Sequence, residues 1–140
     1  MKFEDFIKKG LAKKAQKDVQ LAKALVKTAE QDMLFIGSLP IDDVSSRKII
    51  SNCYDILRSL LEAEASLNGF KIYSHEAFTY YLMENNNEYA SKKFERFRKI
   101  RNSINYYGKE ISVEESKEII AEIKELIEKT NLELSKKLEI

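Results

Sequence analysis

Arg98, Arg101 and Asn105 stand at i, i+3 and i+7, a spacing that lines planar nitrogen donors along one side of a helix. Guanidinium and amide groups so arranged suit a phosphate or a carboxylate. At about 100° per residue, Arg101 falls nearly in line with Phe94 and about 40° from Asn105, at the edge of the apolar face. A charge at that border must meet a carboxylate, a carbonyl or a ligand anion, because burying it unpaired is expensive. Two readings follow from the residues alone: Arg101 holds an anionic ligand, or it closes an internal ion pair with Asp55, Glu62 or Glu64.

The same segment is the locally cationic part of the chain. Residues 88–110 carry seven basic side chains against three acidic ones, whereas 37–87 and 111–140 are each net negative by three. Lys92, Lys93, Arg96, Arg98, Lys99 and Arg101 fall within ten residues. The lysines read as a solvated face that pairs with the acidic last helix. Over the whole chain, 24 Lys and Arg against 23 Asp and Glu leave a net charge of +1. That balance excludes a general polyanion binder, predicts no DNA partner, and confines any nucleic-acid role to a local surface.

Other chemistry-bearing residues are few. His75 is the one histidine and Cys53 the one cysteine. They lack metal-ligand spacing, so neither a metal site nor a cofactor is expected. His75, one residue after the possible N-cap Ser74, reads as a surface or connector residue that folding could alternatively bring near Arg101 as a displaced acid or base. Cys53 reads as inert core. A single cysteine permits no intrachain disulfide and points to a reducing, cytoplasmic setting. No apolar run approaches the roughly 18 residues of a membrane span, and the start lacks a signal-peptide pattern. Glycine-rich phosphate loops, a nucleophile elbow and paired-carboxylate motifs are absent.

The elements that must carry these residues are helical, since the 140 residues include one Pro and four Gly. An all-α, up-and-down antiparallel bundle of about five helices in a single domain (1–140) is expected. The first helix spans Phe3 to Phe35, with Leu11, Ala15, Val19, Ala22, Val26, Ala29 and Met33 inward and Gly10 able to kink or divide it. Gly37-Ser38-Leu39-Pro40 breaks the chain. Asp42 or Asp43 caps a second helix that runs to Gly69 with Cys53, Tyr54 and Leu57 inward. Phe70 to Tyr73 is a partly buried connector. A short helix follows Ser74 and ends at Asn85-Asn86-Asn87. The fourth runs from Glu88 to Tyr107, stopped by Gly108, and the fifth opens at a Ser112–Glu115 capping box.

Arg101-Asn102-Ser103-Ile104-Asn105-Tyr106-Tyr107-Gly108, late in a helix of such a chain, resembles the HEPN family. The likeness covers most of the chain through helix order, and its specific part is these eight residues. It implies a helical bundle that dimerises. In active members an Arg, often followed by Asn, and a His four to six residues beyond line a cleft between subunits and cleave RNA without metal. Many members pair with a small nucleotidyltransferase as toxin and antitoxin.

The chain departs from that pattern at Tyr106, which occupies the place of the His. A phenol with a solution pKa near 10 is a poor base at neutral pH. In a continuous helix a five-residue step turns about 140°. Arg101 and Tyr106 then share a ligand only if the helix loosens or a second subunit completes the site. In some members a tyrosine two residues after the His is modified by the partner enzyme; Gly108 holds that place here, and Tyr107 comes into it with a shift of one. The residue ends of such helices also commonly use tyrosines for packing.

The expectation is therefore a noncatalytic or weakly catalytic homodimer that binds RNA or a nucleotide, works with a nucleotidyltransferase, or both. Arg98, Arg101, Asn102, Asn105 and Tyr107 are the ligand-binding candidates. A metal-independent endoribonuclease using Arg101 with Tyr106 or His75, and a purely structural interaction bundle, are the alternatives.

Overall fold

A computed structural model describes all residues, 1–140, as an all-α bundle with one small β ribbon. The expected first helix is not continuous, and six helices replace five. Helix α1 (Phe3–Lys8) stops before Gly10, whose φ of +74° takes the left-handed turn that glycine permits. Strand β1 (Ala12–Lys14) then pairs antiparallel with β2 (Phe70–Ile72), opposing Ala12 to Ile72 and Lys14 to Phe70. The predicted connector is thus a strand. Ala15 donates its N–H to the Gly69 carbonyl at 2.8 Å, and a Cβ on Gly69 would lie 3.3 Å from the Ala15 oxygen. Gly69, at φ +82°, is what lets the two segments approach so closely. Leu11, Ala15 and Val19, expected inside, are exposed because the ribbon ends the helical register on which that expectation rested.

Asp18 opens α2 (Val19–Gly37) by accepting the Leu21 N–H at 2.9 Å, and Ala22, Val26 and Ala29 are buried as the spacing predicts. Helix α3 (Ser46–Leu67) follows Ser45, whose side chain makes no capping hydrogen bond to the helix. Asp42 organises the preceding turn instead, its carboxylate accepting the N–H groups of Val44 and Ser45 at 2.9 Å. Helix α3 is buried on several sides because α2, α6, α5 and β2 all pack on it. Helix α4 (His75–Glu84) pairs with α5 (Glu88–Tyr107), which Asn87 caps through the Ala90 N–H and Gly108 stops at φ +63°. Helix α6 (Val113–Leu138) starts at Ser112, whose hydroxyl accepts the Glu115 N–H at 3.1 Å.

One cluster of 33 buried apolar residues runs through all these elements. At its α3–α5 seam the Tyr54 and Phe94 rings stack at 5.4 Å, and Phe78 meets Phe94 edge-on at 5.9 Å. Such pairs add about 0.5–1.5 kcal/mol beyond area burial. No helix is long and apolar enough to cross a membrane.

Candidate anion-binding site

Tyr54 is fully buried, and its phenol must find a partner. It finds His75: the hydroxyl and Nδ1 lie 3.1 Å apart, across the α3–α4 seam. The His75 position at the start of α4 is therefore half-buried and engaged rather than a surface connector, which corrects the simpler expectation. Burial, reinforced by the charges of Arg58 and Arg101, lowers the His75 pKa below that of a free imidazole. The ring is neutral at neutral pH. Burial likewise raises the Tyr54 phenol, against the opposing pull of Arg101, so it too stays neutral.

Arg101 lies over this pair. Its guanidinium carbon sits 5.4 Å from the Tyr54 ring centre and 5.8 Å from that of Tyr106, two contacts of cation–π type. The side chain is 16% exposed, yet its nearest carboxylate oxygen, on Asp55, is 3.7 Å away, beyond hydrogen-bond reach. The other polar neighbour is the Asn102 amide oxygen at 3.5 Å. Arg101 Nε is buried and has no partner at all. Of the three carboxylates open to it from the sequence, Asp55 is the one alongside; Glu62 pairs with Arg58 at 3.4 Å, and the half-buried Glu64 has its pKa raised by burial, opposed by Lys137.

Arg98 is better satisfied. It donates from Nε to Glu95 at 2.6 Å, and burial followed by that bond sets its balance, with a net pKa raised above the usual arginine value. Arg58, which the sequence did not single out, flanks the site from α3, and its Nε is also buried without a partner. Tyr54 and Arg58 were hidden by spacing: Tyr54 reads as one more apolar-face residue, and the signal that it served a site was its hydroxyl. The remaining candidates lie late in the same helix. Asn105 is exposed and its amide oxygen accepts the Ser51 hydroxyl at 3.0 Å. Tyr106 and Tyr107 are 69% and 83% exposed, so neither packs the helix end. Tyr107 makes no aromatic or cation contact, while Tyr106 contributes its ring face.

The remaining basic residues of α5 behave as a solvated flank: Lys93 and Arg96 both reach Glu122 on α6. No group of three or more His, Cys, Asp or Glu side chains comes together to hold a metal ion. Cys53 is buried and its thiol is pushed up to about 11 by desolvation, which makes it unreactive. Chemically, the assembly is a set of donors around a neutral imidazole and a neutral phenol. It can receive an anion, and its neutral imidazole can accept a proton. Compared with family models, curated proteins and solved structures, the chain matches none.

Proposed function

We propose that this chain is a HEPN-like helical domain that dimerises, works in the cytoplasm with RNA or a nucleotide, and takes a phosphate of that ligand at Arg101. One observation carries the reading: a guanidinium mostly removed from water has no hydrogen-bond acceptor nearer than 3.5 Å and an orphaned Nε. Such a group is costly to bury unpaired and is stabilised by an anion that accepts from it. The HEPN resemblance of residues 101–108 adds a nucleotidyltransferase as the protein partner, and Tyr106 at the histidine's place makes the domain noncatalytic or weakly catalytic. Titration of a fluorescent single-stranded RNA and of ATP into wild type and Arg101→Ala tests it, with at least a tenfold loss expected in the variant. Equal, negligible binding by both proteins rules the reading out.

A second reading rests on His75, which shares Tyr54 with Arg101. In a metal-independent endoribonuclease, His75 takes the 2′-hydroxyl proton, the 2′-oxygen forms its bond to phosphorus, and the 5′-oxygen departs with a returned proton while Arg101 faces the phosphate charge. It predicts RNA cleavage in EDTA that is lost in both Arg101→Ala and His75→Ala. Cleavage that survives in His75→Ala removes His75 from the step.

A further inference from the structure

A second place in the bundle has the opposite chemistry. Between α2, α3 and α6 lies an open cavity of about 370 Å³, walled by Ala29, Met33, Leu60 and Ile127. Leu34 stands at its edge with 78% of its surface in water. Its charged lining residues are both acids, Glu30 and Glu128. Its third polar residue is Asn131, whose Nδ2 donates to the Glu30 carboxylate at 3.3 Å. That bond fixes the amide's orientation, because a carboxylate accepts and cannot donate. Asn131 Oδ1 is consequently the buried atom left without a partner.

We propose that this cavity binds a small apolar molecule carrying a protonated amine. The apolar walls accept the hydrocarbon body, and the ammonium donates to the Glu30 and Glu128 carboxylates, which complement its charge. The volume falls in the range of small-molecule sites. A second copy of the chain is a poor occupant, since apposing two such faces sets Glu30 and Glu128 of one against those of the other. Anions are disfavoured by the same acids. The inference is independent of the Arg101 reading, because the two sites have no residue in common.

Three probes of one shape and different head groups test it: 3-phenylpropylammonium, 3-phenylpropan-1-ol and 3-phenylpropionate, followed by methyl NMR at Met33, Leu34, Leu60 and Ile127. The ammonium is expected to shift these methyls saturably, the alcohol to bind about tenfold more weakly, and the acid to give no saturable shift. In Glu128→Gln, and likewise in Glu30→Gln, the ammonium's advantage over the alcohol shrinks. Equal binding of ammonium and acid, or no saturable shift with any probe, overturns the proposal. The wild-type comparison of probes decides the matter alone if either variant fails to fold.

Discussion

The Arg101 cluster and the α2–α6 cavity are built around the same helix and break the same rule in opposite senses. Tyr54, Asp55 and Arg58 belong to one; Leu60, about 200° around α3 from Arg58, lines the other. At the first, guanidinium donors lack acceptors; at the second, an amide oxygen lacks a donor. Buried polar groups are almost always paired in folded proteins, so each orphan states the sign of what is missing. The contrast also shows why net charge says so little here: a chain at +1 divides its surface into places that want opposite ligands.

The largest expected effect separates the two regions by packing. Phe94 is fully buried against Tyr54 and Phe78, so Phe94→Ala should cost about 3–5 kcal/mol by urea denaturation. It removes the support beneath Arg101 and should weaken nucleotide binding in the protein that remains folded. Amine binding at the α2–α6 cavity should persist there. Loss of both together would mean that the regions are one coupled unit.

Next comes the charge itself. Arg101→Met keeps most of the apolar stem while removing the orphaned Nε. Because Asp55 is 48% exposed and 3.7 Å away, the ion pair contributes little, and stability should change by less than about 1 kcal/mol. Affinity for ATP or RNA should still fall at least tenfold, about 1.4 kcal/mol. A stability loss of about 3–5 kcal/mol would instead identify a buried structural pair.

Much of the bundle was legible because its determinants are local. Asn87, Ser112 and Gly108 bound their helices, and Ala22, Val26 and Ala29 repeat at helical spacing, so neighbours along the chain decide the outcome. The ribbon was not legible. Ala12–Lys14 satisfies helical periodicity and becomes a strand only because β2, far along the chain, offers backbone partners. The site divides the same way. Arg101 was visible from its place on the helical face, whereas the Tyr54–His75 bond joins residues 21 apart through tertiary packing. Asn131 and Glu30, 101 residues apart, carried no signal in sequence.

A pH series sharpens the comparison further, since the imidazole belongs to one region alone. Folding lowers the His75 pKa, chiefly by burial, so the unfolded chain binds its proton first as the solution acidifies. The contribution of this residue is present above the unfolded value near 6.5 and is lost as pH falls through the lower folded value. Wild type should therefore lose stability more steeply than His75→Gln on acidification below about pH 6.5. Parallel profiles from denaturation midpoints would show that the ring titrates alike in both states.

The smallest effect distinguishes the two halves of Tyr106. As a proton carrier it needs its hydroxyl; as a lid on the guanidinium it needs only its ring. The geometry supports the ring, whose centre lies 5.8 Å from the Arg101 guanidinium carbon on a mostly exposed side chain. An exposed cation–π contact is worth about 0.5–1 kcal/mol. Tyr106→Ala should then weaken nucleotide binding about two- to fivefold, the same energy expressed as an equilibrium ratio. Tyr106→Phe keeps the face and should bind within about 1.5-fold of wild type, since it removes none of that contact. Isothermal titration of ATP into the three proteins reads the difference. A Tyr106→Phe loss as large as that of Tyr106→Ala would assign the role to the hydroxyl and return a proton-moving part to this tyrosine.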